Sequence, residues 1–236
     1  TQLIKDREIK GGVGECTLIH TLGKIKPSRV LVVGLGPQDK FDGQVVRRLS
    51  AEVVRFLRRK GISKAATIAH GAGIGGLDPQ LSGQAIAEGA YLGLYKFGIH
   101  QTNNGDSATE FEKLTVVELD KARAKAIAAG VKLGSTAAQA SIIARNMVNE
   151  PANHMTPSSM AETAKKVASD KGLKIEVLDN AEMKKMGMGA FMGVAQGTDE
   201  PAKLIIIRYD GHPENPENNL GLIGKGITFD TGGISL

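Results

Sequence analysis

One lysine and one aspartate near the end of the chain have surroundings that suit metal chemistry. Lys225 lies between two glycines after a short apolar run, and Asp230 stands directly before a Thr-Gly-Gly turn. Removing a charged side chain from water costs several kcal/mol unless a partner compensates, and a metal ion is one such partner. A solvated lysine and an Asx-type turn are the commoner explanations of such residues taken alone. Both side chains are therefore candidate metal ligands.

Spacing excludes two other motifs. A phosphate loop needs a glycine five positions before the Gly-Lys pair and a Ser or Thr after the lysine, but Asn219 and Gly226 hold these positions. A zinc-protease helix needs two histidines in an HExxH pattern, and the five histidines are dispersed: His20, His70, His100, His154 and His212. Any metal would therefore depend mainly on oxygen ligands and a lysine amine.

Three segments in a fixed order give these two residues a specific context. They are 144–157 (ARNMVNEPANHMTP), 186–207 (MGMGAFMGVAQGTDEPAKLIII) and 224–236 (GKGITFDTGGISL). Together they resemble the leucyl aminopeptidase (cytosol aminopeptidase) family. The resemblance implies that Lys225 is a ligand of one metal and that Asp230 bridges two metals.

The resemblance also implies an activity. The family removes an N-terminal residue, often leucine, from a peptide with two divalent ions, which are manganese, zinc or magnesium. In the family these ions hold a bridging water or hydroxide and polarise the scissile carbonyl, and one of them binds the free α-amino group of the peptide. We therefore expect peptide substrates, two divalent cations as cofactors and, as in the full-length family, a homohexamer.

The same resemblance predicts that catalytic residues lie beyond Leu236. In the family the next residue is a catalytic lysine, and a second metal-binding aspartate, an Asp-x-Glu pair and an arginine follow. Lys225 and Asp230 are then the only site residues of this sequence, and none is assigned as catalytic. We expect a polypeptide of these 236 residues to be an inactive fragment that binds metal weakly. Thr231 replaces the family's more usual serine, which is a conservative change.

The composition is that of an ordinary globular protein, with 41% hydrophobic and 23% charged residues. No apolar run approaches the ~20 residues that span a bilayer, so no membrane partner is expected. The single cysteine, Cys16, lies in a strand-like run and is predicted to be a small buried core residue. A chain without an intrachain disulfide favours a reducing compartment, and the cytoplasm is the expected location.

A basic helix face suggests a function of a different class. Over Asp42–Lys60, at ~100° per residue, apolar side chains fall on one side, and five arginines fall on the other: Arg47, Arg48, Arg55, Arg58 and Arg59. A DNA-binding or regulatory role through this face is the alternative function, and some bacterial members of the family are known to bind DNA. We favour a solvated surface, because the net charge is only +5 and no aromatic residues interleave for base stacking.

Two glycine-rich turns raise the question of a cofactor. Gly34-x-Gly36 begins like a dinucleotide loop, but the third glycine is missing and Pro37 follows at once. The run Gly71–Gly76 lies between a strand and a helix that starts at Asp78-Pro79. It could cradle an anion at the helix start. A tight strand-to-helix turn explains it more simply.

Hydrophobic periodicity predicts an α/β fold. Together with the family resemblance, this pattern leads us to expect an N-terminal mixed α/β sheet domain over 1–120, macro-like in type, then a long linker helix over 121–148. The resemblance implies that residues 149–236 are the start of an α/β catalytic domain. The predicted strands are Glu15–His20, Arg29–Gly34, Ala65–His70, Leu114–Leu119, Leu173–Leu178, Lys203–Tyr209 and Leu220–Lys225. The last strand carries Lys225 at its carboxyl end, where functional groups of such sheets lie.

Overall fold

The computed structural model describes residues 2–73, 75–102, 109–215 and 217–229. The chain has the predicted α/β fold, and it divides into two compact units, Thr1–Arg145 and Asn146–Leu236. The strands are β1 Cys16–His20, β2 Arg29–Val33, β3 Lys64–Ile68, β4 Lys113–Val117, β5 Lys174–Leu178 and β6 Leu204–Arg208. The helices are α1 Gln2–Lys5, α2 Gly43–Arg59, α3 Pro79–Leu94, α4 Lys121–Asn149, α5 Pro157–Lys171, α6 Asn180–Lys185 and α7 Gly189–Val194.

The strands pair in twos in the part of the chain that the structure describes. β1 and β2 are antiparallel with Cys16 opposite Val33, and β3 and β4 are parallel with Lys64 opposite Lys113. In the second unit β5 and β6 are antiparallel. The prediction of both parallel and antiparallel pairing in the first domain is confirmed, but the described strands form separate two-stranded sheets rather than one larger sheet.

Helices α2 and α3 pack closely and supply most of the core of the first unit. Asp42 caps α2, since its carboxylate accepts a hydrogen bond from the backbone N–H of Val45 at 2.8 Å. Val46 is fully buried against Ala85 and Ile86 of α3. Burying such an aliphatic side chain stabilises the fold by about 1.5–3 kcal/mol. The buried side of α2 comprises Val46, Leu49, Ser50, Val54 and Leu57.

Glycines let α3 approach both of its neighbouring helices. A methyl group at Gly89 would overlap the backbone carbonyl of Arg47 in α2. On the other side, a methyl group at Gly130 of α4 would overlap the carbonyl of Gln80, and one at Gly83 would overlap the carbonyl of Ile127. The backbones therefore meet where larger side chains would hold them apart.

Helix α4 is long and apolar enough to cross a membrane by length and composition alone. Its buried residues Ile127, Gly130, Gly134 and Ala138 form a face, and the two glycines lie against the backbone of α3. The helix also carries charged residues in its first three turns. This face packs on α3, while only 22% of the apolar window of α4 is buried.

Local end signals define the elements of the second unit. Thr156 caps α5 through its hydroxyl, and Gly172 ends the helix in the left-handed conformation at φ 65°. Asp179 and Glu182 form a capping box at the start of α6. A small core of Leu178, Met183 and Ala202 lies beneath these elements, with Met188 and Met192 packed against it. These methionines therefore fill core space.

One predicted element is wrong. Residues Leu220–Lys225 do not form a strand, and Leu220, Leu222 and Ile223 are each at least 86% exposed. A strand exists only when its backbone groups pair with a neighbour. Residues 220–225 pair with neither β5 nor β6, although each of these two strands has one edge that no described strand occupies. The apolar run therefore has the composition of a central strand but not its structure.

Candidate functional site

Lys225 lies on an irregular, exposed stretch of the second unit. Its side chain is exposed, and it forms no ion pair with any residue that the structure describes. The apolar residues that precede it, Leu220, Leu222 and Ile223, are exposed as well. The amine is accessible for ligation. None of the described residues forms an ion pair that would compensate its charge if the side chain were buried.

Asp230 lies outside the described residues, so its placement relative to Lys225 stays a prediction. Elsewhere, the described ranges contain no group of three or more His, Cys, Asp or Glu side chains that could hold a metal. A dication in a protein is normally held by at least three such ligands. The described residues therefore do not form a dimetal site by themselves, and Lys225 is the one predicted ligand that the structure places.

The segment that carries Lys225 touches helix α5. A β-carbon on Gly226 would lie 3.2 Å from Sδ of Met160 and 3.8 Å from its Cε. Met160 lies in the first turn of α5, whose start is fixed by the Thr156 cap. The backbone next to Lys225 is thus in contact with a helix that has well-defined ends.

Two arginines of the basic face of α2 form bonds to helix α3 within the first unit. Arg47 pairs with the carboxylate of Glu88 on α3, and Arg58 donates a hydrogen bond from Nη1 to the carbonyl of Leu94 at 3.2 Å. Arg55 is half-buried, so Arg48 and Arg59 are the two arginines of this face that are exposed. These two guanidinium groups are bonded to α3. The structure adds no support for the DNA-binding alternative.

The glycine run after β3 is a tight turn. Gly71 has φ +79°, its carbonyl accepts the backbone N–H of Leu77 at 2.9 Å, and Ile74 lies outside the described residues. The next helix, α3, is capped by Asp78, whose carboxylate accepts the N–H of Leu81 at 2.9 Å. A carboxylate already occupies this helix start, where an anion would otherwise bind. The turn interpretation accounts for the residues that the structure describes here.

The first glycine pair, Gly34-x-Gly36, is bonded to the N-terminal loop. The N–H of Gly34 donates to the carbonyl of Glu15 at 2.8 Å, and the N–H of Gly36 donates to Gly11 at 3.1 Å. These two donors are used within the fold, which argues against a phosphate-binding loop.

His70 is a half-buried titratable group that the sequence did not single out. Its Nε2 lies 3.2 Å from the hydroxyl of Thr67, and its carbonyl accepts a hydrogen bond from the hydroxyl of Ser82 at 2.8 Å. Burial lowers the pKa of the His70 imidazole below its ordinary value. These contacts are those of a histidine with a structural role.

Cys16 is only half-buried, so the prediction of a buried core residue is not met. Desolvation raises the pKa of its thiol, the nearby carboxylate of Glu52 raises it further, and the charge of Arg59 opposes both effects. A raised pKa leaves little thiolate at neutral pH. Cys16 therefore lacks the activation that a nucleophile needs.

The second unit contains one groove that sequence reasoning missed. It has a volume of about 400 Å³ and lies between α5 and β5, with Asp179 and Lys203 at its edge. The backbone N–H of Glu182 lowers the pKa of the Asp179 carboxyl, and the charge of Lys203 adds to this effect. The side chains that line the groove carry charges of both signs, and they include Asp179 and Glu182, which cap α6. We attribute the lowered pKa to capping.

Family models match both parts of the chain. The N-terminal domain of the cytosol aminopeptidase family matches residues 1–104, and the catalytic domain of the same family matches residues 142–236. The chain belongs to the cytosol aminopeptidase family. The match to the catalytic domain includes both Lys225 and Asp230.

Curated members of the cytosol aminopeptidase family align with the whole chain. A probable cytosol aminopeptidase of Alkaliphilus oremlandii is 40% identical over 236 residues, which are 100% of this chain and 47% of the relative. The cytosol aminopeptidase of Pseudomonas aeruginosa is 34% identical over 235 residues, which are 99% of this chain and 47% of the relative. The chain thus spans about half the length of these cytosol aminopeptidases.

Solved structures share the fold. The bottromycin maturation enzyme BotP has a TM-score of 0.74 at 26% identity, with 89% of this chain and 43% of BotP covered. BotP has also been solved in complex with Mn. A tomato leucine aminopeptidase variant has a TM-score of 0.69 at 22% identity, with 86% of this chain and 39% of that chain covered, and at this identity it supports the fold alone.

Proposed function

We propose that the whole protein is a metal-dependent aminopeptidase that removes N-terminal residues, with a leucine-type preference, from peptides. The observation that carries the proposal is the match of two domains of one aminopeptidase family, in family order, over residues 1–104 and 142–236. The cofactors are two divalent ions, manganese, zinc or magnesium. The solved complex of BotP with Mn supports manganese as a first choice for testing.

Lys225 and Asp230 are the proposed metal ligands of this sequence. The support for Lys225 is an accessible amine on a segment that the family's catalytic-domain model matches. A lysine binds metal only as the neutral amine, so proximity to a dication must lower its pKa when the site is complete. Asp230 is proposed from the family resemblance and from its place in the same catalytic-domain match. The remaining ligands are proposed to lie in the part of the relatives that this chain does not span.

The test is hydrolysis of leucine p-nitroanilide by the whole protein before and after chelation. Activity lost with EDTA and restored by Mn²⁺, Zn²⁺ or Mg²⁺ is the expected result. Lys225→Ala and Asp230→Asn should each lower kcat/KM more than about 100-fold, since residues around metal ligands alone are worth about 10- to 100-fold. Lys184→Ala and Asp199→Asn change exposed residues and are the matched controls. Chelator-resistant activity or full activity in both ligand variants contradicts the proposal.

The 236-residue polypeptide itself is proposed to be inactive and to bind metal weakly. The chain spans 47% of the curated relatives, and the remaining ligands are proposed to lie in the part that it does not span, which supports this proposal. The assay is hydrolysis of leucine p-nitroanilide by a polypeptide whose intact mass is close to 24.9 kDa. Robust turnover by that polypeptide refutes this part of the proposal and leaves the family assignment untouched.

The proposed location is the cytoplasm, and the proposed assembly of the whole protein is a homohexamer. The relatives are named cytosol aminopeptidases, which supports the location. Fractionation of the source cells with an antibody to this chain tests the location, and the mass of the whole protein in solution tests the assembly. A mass equal to that of one subunit contradicts the hexamer.

A further inference from the structure

A second groove runs along one edge of strand β4 in the first unit. It has a volume of about 580 Å³, and six consecutive residues, Lys113–Glu118, line it. Neighbouring residues of a strand point to opposite faces of the sheet, so a groove that meets all six lies along the edge of the strand and not under one face. β4 pairs with β3 and with no other strand that the structure describes. The groove therefore follows the free edge of β4.

Helix α4 forms the other wall of this groove. Ala124, Ala128 and Val131 line it at a spacing that puts them on one side of the helix, and the buried Ile127 lies between them. Ala128 is exposed, and Ala124 and Val131 are half-buried. The groove thus places an apolar helix surface beside a strand edge whose backbone groups have no partner strand among the described residues.

The β3–β4 sheet is too narrow for the helices on which it packs. Helix α3 contacts α2 through Gly89 and α4 through Gly83, so the three helices lie side by side. Their outer axes are separated by a distance on the order of 15 Å, whereas two paired strands lie only about 4.8 Å apart. Leu114 and Val116 of β4 pack onto this layer. The surface of α4 beside them is left for a further strand.

We propose that a strand from the part of the whole protein outside these 236 residues pairs with the free edge of β4 and covers Ala124, Ala128 and Val131. The chain spans 47% of the length of its curated relatives, so a protein of their length has ample chain to supply it. A strand fits better than a helix because the edge offers backbone donors and acceptors along its whole length. Its apolar residues fall at every second position, facing α4. The inference rests on the proposed length of the whole protein and not on its activity.

The cover over α4 is tested by cysteine labelling with a maleimide, followed by mass spectrometry. Ala128→Cys should react about tenfold or more slowly in the whole protein than in the 236-residue chain, because the added strand shields the thiol. Ala137→Cys is the matched control, since this exposed alanine lies nine residues later and on the opposite side of α4. Its labelling rate should be the same in both polypeptides. Equal rates at position 128 in both polypeptides, or an equal change at positions 128 and 137, overturn the inference.

Hydrogen exchange of the β4 amides tests whether the cover is a strand. Every second amide of a strand points to the same edge, so one set of β4 amides should be protected by β3 in both polypeptides. The other set should exchange about tenfold or more slowly in the whole protein alone. If this second set stays unprotected while the thiol at position 128 is shielded, another kind of element covers α4 and the inference is wrong.

A second copy of the chain is the competing occupant of this edge. Protection of the same amides in the 236-residue chain that rises with its concentration would assign the edge to a second copy and overturn the inference. None of these measurements uses peptide hydrolysis or metal, so a failure of the proposed aminopeptidase function leaves their result unchanged.

Discussion

Arg47 of α2 and Glu88 of α3 form an ion pair across the packed faces of the two helices. The Glu88 side chain is 11% exposed and that of Arg47 is 28% exposed. Gln84 donates a second hydrogen bond to the same carboxylate at 2.8 Å. One of the five arginines of the basic face is therefore a packing residue.

Breaking this pair should destabilise the first unit. Glu88→Ala leaves the Arg47 guanidinium partly desolvated without its partner, and we expect the free energy of unfolding to fall by about 2 kcal/mol. The estimate lies below the range for fully buried pairs because Arg47 is partly exposed. Urea unfolding of the Glu88→Ala variant measures this loss in the free energy of unfolding. Glu112→Ala breaks an exposed pair with Lys64 and should cost less than about 1 kcal/mol; equal losses in both variants would contradict the packing role of Glu88.

The glycine at position 130 should not accept a methyl group. Alanine improves helix propensity by about 1 kcal/mol, but the methyl group of Gly130→Ala would overlap the carbonyl of Gln80. Overpacking costs about 1–3 kcal/mol, so we expect net destabilisation of the first unit in chemical denaturation. Gly193→Ala in α7 meets no atom within 4 Å and should stabilise the second unit. Stabilisation at both positions would show that α3 and α4 are not in close contact.

The stability of the first unit should depend on pH through His70. Its pKa is lowered by burial in the folded protein, so the unfolded chain takes up the proton first as pH falls below about 6.5. The free energy of unfolding should decrease from that pH down to the pKa of His70 in the folded protein. Below that pKa both states carry the proton, so His70 no longer changes the free energy of unfolding. His70→Gln should flatten this part of the profile, whereas His20→Gln, at an exposed position, should not. An unchanged profile in His70→Gln would assign the slope to other groups.

The cap of α5 should contribute measurably to the second unit. Thr156→Ala removes the oxygen that accepts the N–H of Ser159, and such a change costs about 1 kcal/mol. Thr156→Ser keeps the hydroxyl and should restore most of this loss. Thermal unfolding followed by circular dichroism checks both variants. If serine and alanine behave alike, the methyl group of Thr156 and not its hydroxyl stabilises the helix.

Elements with local signals could be predicted from the sequence. Asp42 before α2, Thr156 before α5 and the Asp179–Glu182 box before α6 all mark helix starts by hydrogen bonds made within a few residues. Such bonds depend on the sequence nearby and not on what the helix packs against. The start of α2 was therefore predicted to within one residue, since the helix begins at Gly43 directly after Asp42.

Features that need a distant partner could not be predicted in the same way. The arginine pattern of α2 shows that Arg47 and Arg58 lie about 20° apart at one edge of the basic face, but only the position of α3 shows that this edge is covered. The run Leu220–Lys225 has strand composition, yet it finds no pairing partner among the described strands. Lys225 was identified by family resemblance, and its exposure could not be read from its neighbours.

The glycine contacts on both sides of α3 also determine how the first unit can assemble. Neighbouring residues of a helix point about 100° apart. If α3 packed one residue out of register, Ser82 or Gln84 would take the place of Gly83 beside Ile127. The same shift would put Glu88 or Ala90 against the carbonyl of Arg47. Three helices therefore fit together in a single alignment, and a nascent chain that pairs α2 with α3 correctly has already set the alignment that α4 must adopt.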